Sequence, residues 1–234
     1  MTAEPAFDLA LPPGPVRAVA LILHGGRASS SAPVRPTNLT VVRMTPFASS
    51  LRRLGGRSGL AVARLRYLVR GWNGTARSPV ADVQWALARI AEQHPGVPVA
   101  LIGHSMGGRA AVYAAADPAV RAVVGLAPWL EPGDPVEPVR DRHVLVAHGD
   151  RDRMTSAPGS AAWSRHAQQV AASAAYVSVS GEGHAMLRRA GLWHDMTTAF
   201  VLSVLCDVLP EQTGGSPGAN VIAKILAGDA SLVV

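Results

Sequence analysis

Short apolar, β-branched runs alternate along this chain with longer stretches of helical period, the pattern of a mostly parallel sheet covered by helices on both faces. The expected strands are residues 16–23, 60–65, 97–102, 122–126, 143–147 and 175–179. The clearest helix between them starts at Ser78-Pro79, with serine as cap, proline at the first helical position and Asp82 near the positive end of the helix dipole. Its apolar residues Val80, Val83, Leu87 and Ile90 recur at helical spacing, and Pro95-Gly96 marks its stop. Further helices are expected over 44–54, 106–116, 160–172 and 192–209.

At 234 residues the chain has the length for one well-buried α/β domain, here 1–210, and not for a second. Residues 27–40, rich in Ser, Pro and Arg, read as a long surface loop. Residues 211–234 read as a linker leading into a short apolar tail that either docks on the core or joins a neighbour. No apolar run approaches the roughly 18–20 residues of a membrane span, so none is expected. The opening residues have Glu4 and no basic, apolar leader, so no secretory signal is expected. Cys206 is the only cysteine, which rules out an internal disulfide, suits a reducing cytoplasm, and reads as a buried structural thiol. The net charge is +6, and every one of the 22 basic residues except Lys224 is arginine. These arginines are scattered, and aromatic residues make up only 5% of the chain. The basic stripe with stacking residues that nucleic-acid binding calls for is missing, and no such partner is expected.

The pattern Gly-x-Ser-x-Gly occurs twice, at Gly103-His104-Ser105-Met106-Gly107 and at Gly214-Gly215-Ser216-Pro217-Gly218. Context separates the two. A nucleophile on a sharp strand-to-helix turn needs a buried strand before it and a helix after it, and only Ser105 has both. The strained backbone of such a turn also requires small neighbours, which Gly103 and Gly107 supply. The competing reading of the same turn is a glycine-rich phosphate site.

A serine hydroxyl needs a positioned base, and histidine has the right basicity near neutral pH. Of the 8 histidines, His184 stands out because Gly181-Glu182-Gly183-His184 follows an expected strand, at the sheet edge where ligands meet open α/β sheets. His24, His104 and His148 sit beside glycines and read as turn residues, while His94 and His166 read as solvated. The acid that orients the base should follow an earlier strand. The run His148-Gly149-Asp150-Arg151-Asp152 offers two carboxylates there: Asp152 to accept the imidazole N–H, and Asp150 to brace the turn. Glu131 and Asp134 are lesser alternatives for the acid.

Taken in order, Leu23-His24-Gly25-Gly26, the Ser105 motif, His148-Gly149-Asp150-Arg151-Asp152 and Gly183-His184 resemble the α/β-hydrolase family over roughly residues 16–209. The resemblance is nearest to small capless esterases and dienelactone-hydrolase-like enzymes, although some of those use a thiol nucleophile that position 105 lacks. It implies a single-domain α/β-hydrolase fold and an oxyanion hole from the backbone N–H groups of Gly26 and Met106. Many relatives insert a helical cap after the strand that follows the nucleophile helix. Residues 128–142, rich in Pro and acidic residues, leave no room for one. An open site is therefore expected, suited to small or exposed ester groups.

The expected activity is hydrolysis of a small-molecule carboxylic ester through an acyl-enzyme on Ser105, with His184 as base, Asp152 as its orienting acid, and no metal or organic cofactor. Thioester hydrolysis and acyl transfer use the same residues. A cofactor-free lyase or perhydrolase would need water kept out of an open site, and a non-catalytic binding module would keep the fold without the chemistry. Arg27, Arg70, Arg151, Arg153, Arg188 and Arg189 fall on loops expected at the rim, where they would steer an anionic ester.

Overall fold

A computed structural model describes residues 4–234. The strands are β1 (Ala6–Ala10), β2 (Ala18–Leu23), β3 (Leu60–Arg66), β4 (Val99–His104), β5 (Val120–Leu126), β6 (His143–Gly149), β7 (Ser173–Val179) and β8 (Ser231–Val233). The helices are α1 (Leu39–Val42), α2 (Thr45–Gly55), α3 (Ser78–Gln93), α4 (Met106–Ala114), α5 (Ala157–Ala167), α6 (Ala190–Cys206) and α7 (Pro217–Leu226). They build one 8-stranded sheet in the order β1-β3-β2-β4-β5-β6-β7-β8. Only the β1–β3 pair is antiparallel.

The central strands are buried on both faces, so they read as unbroken apolar runs, yet their side chains still alternate. Along β2, Ala18, Ala20 and Ile22 join Phe47 and Leu51 of α2 and Trp193 and Phe200 of α6 in one core. Val19, Leu21 and Leu23 join Val83 and Leu87 of α3, Ala110 and Ala111 of α4 and Trp163 of α5 in the other. The chain leaves β2 toward α2 on the first face and leaves β4 toward α4 on the second. This divergence opens a crevice between the C-terminal ends of two adjacent strands, the place where open α/β sheets bind ligands. Register aligns the crevice, because Leu23 pairs with Gly103 and Gly103 with Gly125.

All six expected strands and all five expected helices form, with ends displaced by a few residues. The 27–40 segment is a loop as far as Asn38, where α1 begins, and is pinned by isolated bridges at Arg27–Gly71 and Pro33–Val69. Between β5 and β6 there is only a loop with a short 3-10 turn at Glu137–Val139, and no lid. Two details of α3 correct the sequence reading. Ser78 does not cap the helix; Arg77 holds the N-cap position at φ 45°, and the Ser78 hydroxyl accepts from Asn73 instead. Asp82 turns away from the helix end to accept the Leu68 N–H at 2.8 Å, and burial raises its carboxyl above the usual range.

Residues 211–234 dock on the core, one of the two outcomes expected for their apolar part, but as a helix and a strand and not as a linker with a tail. Ser216 caps α7 by accepting the Ala219 N–H, and Pro217 takes the first helical position. Ala219, Val221 and Ile222 then bury against the α6 side of the core. Finally, β8 pairs parallel with β7 and covers that edge. At the opposite edge, β1 was also unforeseen, since its alternating Phe7 and Leu9 lie between prolines. Among the described residues, no helix is long and apolar enough to cross a membrane. Cys206 is partly buried, and burial pushes its thiol up to about 11.

Candidate active site

Ser105 separates β4 from α4 with φ 55° and ψ −120°, a conformation that a non-glycine residue holds only where its surroundings enforce it. The enforcement is visible in its neighbours. A Cβ on Gly107 would lie 2.6 Å from the carbonyl oxygens of Leu23 and His24, and one on Gly103 would collide with the Gly107 backbone. The two glycines thus let α4 lie directly on the ends of β2 and β4. The Ser105 carbonyl, in turn, accepts the N–H groups of Gly108, Arg109 and Trp129. As the first residue of α4, Met106 has an N–H with no acceptor inside the helix, pointing out of its positive end.

The turn after β2 lies against this elbow. Gly25 is packed beside Ser105 Cβ and the His104 ring, and Gly26 against the Met106 side chain and the Arg70 carbonyl. His24, only 2% exposed, braces the turn: its Nδ1–H donates to the Gly25 carbonyl at 2.7 Å and its Nε2 accepts the Tyr67 N–H at 3.2 Å. Burial drives this imidazole down to about 4, so the ring is neutral.

Asp152 and His184 meet across the ends of β6 and β7. Asp152 Oδ2 accepts His184 Nδ1–H at 2.8 Å, and the acid side chain is fully buried while the imidazole is 12% exposed. The other carboxylate contacts are to His148 Nε2 at 3.0 Å, the Thr155 hydroxyl at 2.8 Å, and the N–H groups of Met154 at 2.7 Å and Thr155 at 3.1 Å. Burial alone would raise this carboxyl, but hydrogen bonds from His148, His184, Met154 and Thr155 outweigh it and hold the group well below the usual carboxylate range. The acid is therefore an anion that can only accept, which fixes the His184 proton on Nδ1 and leaves the Nε2 lone pair free. Among the described residues no hydrogen bond joins the Ser105 hydroxyl to His184; sites without ligand commonly leave this contact loose.

The remaining candidates fall elsewhere. Asp150 braces the turn, as expected, by accepting the Gly181 N–H at 2.7 Å. Glu131 and Asp134 are tied up by Arg109, at 2.9 and 2.7 Å. That guanidinium lies in the corner between Trp72 and Trp129, 4.5 and 4.6 Å from their ring centroids, joining the loops after β3 and β5. Ser216, the serine of the second motif, is the α7 cap. Two histidines read as turn residues do more than turn the chain. His104 donates from Nε2 to the His184 carbonyl at 3.0 Å, its ring 4.7 Å from that of His184. His148 shares Asp152 with His184. Neither role was legible locally, because each partner lies on another loop or behind a turn. Arg43, also unforeseen, donates to the carbonyl of Ala185.

Similarity to known proteins agrees with this architecture. Residues 68–143 match the family model of serine aminopeptidase S33. No curated protein sequence matches the chain. Among solved structures, the lidless α/β serine hydrolase XC6422 from Xanthomonas campestris superposes with a TM-score of 0.62 at 19% identity, covering 88% of this chain and 97% of that one. Est1E from Butyrivibrio proteoclasticus with ferulic acid bound gives 0.64 at 17% identity, covering 86% and 95%. An α/β serine hydrolase homologue from Coxiella burnetii gives 0.60 at 17% identity, covering 85% and 97%. By its sheet order, its elbow and these likenesses, the chain is an α/β-hydrolase by fold, in the lidless form.

Proposed function

We propose that the protein is a serine hydrolase that cleaves carboxylic esters through an acyl-enzyme on Ser105. His184 is its base, Asp152 orients that base, and the N–H groups of Gly26 and Met106 receive the oxyanion. The observation that carries this reading is the 2.8 Å hydrogen bond from His184 Nδ1 to a buried carboxylate, on the same sheet edge as a serine held at positive φ. The esterase domain from Rhodothermus marinus among its structural relatives supports ester substrates.

In the first half-reaction the Ser105 oxygen attacks the ester carbonyl while its proton passes to His184 Nε2. Negative charge develops on the carbonyl oxygen, where two backbone N–H groups stabilise it; losing one such donor typically costs about 3 kcal/mol of barrier. His184 then protonates the departing alcohol. Water repeats the sequence, giving its proton to His184 and releasing the acid. This chemistry requires no metal or organic cofactor, and the open rim suits small or exposed ester groups. With Cys206 as its only cysteine, the chain is suited to the reducing cytoplasm.

The test is fluorophosphonate labelling of the parent and of Ser105→Ala, read by intact mass, followed by profiling on short esters, thioesters and aminoacyl amides. A single adduct lost in Ser105→Ala is expected, with ester turnover falling at least about a thousandfold in the variant. No adduct on the folded parent would replace this reading with that of a non-catalytic binding module. A preference for thioesters would keep the residues and change the substrate.

A further inference from the structure

Asp152 carries two imidazoles on one carboxylate oxygen, since both His184 Nδ1 and His148 Nε2 lie within 2.8–3.0 Å of Oδ2. An ionised carboxylate has no proton to give, so both rings must present N–H to it. His148 is thereby fixed with its proton on Nε2, and its Nδ1 faces the Ser160 hydroxyl at 3.0 Å. Neither His148 nor Ser160 has any exposed surface. A buried chain of hydrogen bonds therefore runs from His184 through Asp152 and His148 to the first turn of α5.

We propose that His148 is a positioning residue: its Nε2–H holds Asp152 Oδ2 in line with His184 from behind, so that the base faces Ser105 in one orientation. This rests on the assignment of Asp152 and His184 given above. The other donors on Asp152 do not do the same work. Met154 and Thr155 N–H bind the opposite oxygen, Oδ1, and fix where the carboxylate sits but not how Oδ2 is shared. The Thr155 hydroxyl has one proton and two acceptors in reach, Oδ2 at 2.8 Å and the Ala127 carbonyl at 3.3 Å, so its bond to Oδ2 is shared. His148 is a rigid planar donor anchored at both nitrogens. It stands at the end of β6, four residues before the acid, with the intervening turn closed by Asp152 N–H to the Gly149 carbonyl at 3.2 Å. Because His148 is fully buried, it acts on substrate only through Asp152, and its removal should affect turnover and not substrate binding.

The experiment compares the parent with His148→Leu, His148→Gln and Ser160→Ala. Three readouts are needed: kcat and KM on a short p-nitrophenyl ester, the urea midpoint, and the low-field proton resonance of the His184 Nδ1–H. In His148→Leu we expect kcat to fall by about tenfold or more with KM within about twofold, since a hydrogen bond to a charged group is lost. The low-field resonance should move or broaden. His148→Gln, which keeps a donor at that reach, should recover most of the loss. A folded His148→Leu with parental kcat and an unmoved resonance overturns the proposal while the labelled Ser105 leaves the hydrolase reading standing. If His148→Leu does not fold, Ser160→Ala decides: it frees the far side of the ring, so a lowered kcat at unchanged KM supports the proposal and parental kcat overturns it. A parent that is neither labelled nor active overturns the triad reading and this one with it.

Discussion

His24 and His104 lie almost fully buried at the sheet edge, each spending a ring nitrogen on a backbone carbonyl of a site loop. Burial is the main cause that depresses both, His24 to about 4 and His104 to about 3, the latter also disfavoured by the neighbouring His184. An unfolded chain takes up these protons near pH 6.5, whereas the folded one refuses them until well below pH 5. The stability these rings contribute is therefore whole above pH 6.5 and lost as pH falls toward 4. At pH 5 the loss is on the order of 2 kcal/mol for each ring. Asp82, whose carboxyl burial raises, works in the opposite sense but only near the carboxylate range. Urea midpoints at pH 7.5 and pH 5.0 should differ accordingly, and His104→Gln should remove about half of the difference; equal midpoints at the two pH values would refute this account. At this scale the placement of residues was legible where residue type and strand context go together, as for Ser105 on its strand-to-helix turn and Asp152 beside His184. It was illegible where a side chain's role depends on a partner from another loop. Nothing local in His104 points to the His184 carbonyl, and His148 is read as a turn residue until Asp152 is seen folded back onto it.

The last two elements, α7 and β8, close the side of the molecule that holds the His184 loop. Backbone bonds from Tyr176 to Ala230, from Ser180 to Val234 and from Val234 to Ser178, at 2.7–3.0 Å, cover the β7 edge that would otherwise stand open. The α6–α7 contact depends on Gly218, where a Cβ would come within 2.5 Å of Asp195 Cβ and 2.6 Å of the Met196 nitrogen. Gly218→Val should pry α7 from α6 and cost about 2 kcal/mol, lowering Tm by roughly 4–8 °C in a calorimetric scan, with ester turnover at 25 °C nearly unchanged. An unaltered Tm would mean that α7 is not part of the cooperative unit. The central strands and long helices were readable because burial on both faces writes continuous apolar runs and helical period writes amphipathic ones. The peripheral β1 and β8 were not, being short and half-covered. In α7 the run Gly214-Gly215-Ser216-Pro217-Gly218 disguised a capped helix start as a linker, because serine and proline serve both roles until the apolar face behind them finds a partner.

For the molecule as a whole, a net charge of +6 goes with an opening that no lid between β5 and β6 covers. Beside the Gly25-Gly26 turn lies a cavity of about 170 Å³ whose lining includes Arg27, Arg70, Asn38 and Thr40 and no acidic residue. Through His24 it adjoins a mostly apolar cavity of about 280 Å³ walled by Phe7, Ile22, Val41, Met44 and Leu65. In the proposed hydrolase, guanidinium groups beside the Gly25-Gly26 turn, which packs on Ser105 and Met106, would raise the local concentration of anionic substrate. Rim charges act mainly on capture, so the effect belongs in kcat/KM and not in kcat, and screening should erase it once the Debye length shrinks to a few Å. The measurement is kcat/KM for a neutral ester and for its carboxylate-bearing counterpart between about 10 mM and 1 M salt, in the parent and in Arg70→Gln. An acidic-to-neutral ratio that is several-fold above one at low salt, declines toward one at high salt, and is reduced in Arg70→Gln would show that the open face selects by charge. Equal values for the two esters at low salt would mean that the arginines merely keep the surface solvated, and that selection rests on the shape of the two cavities.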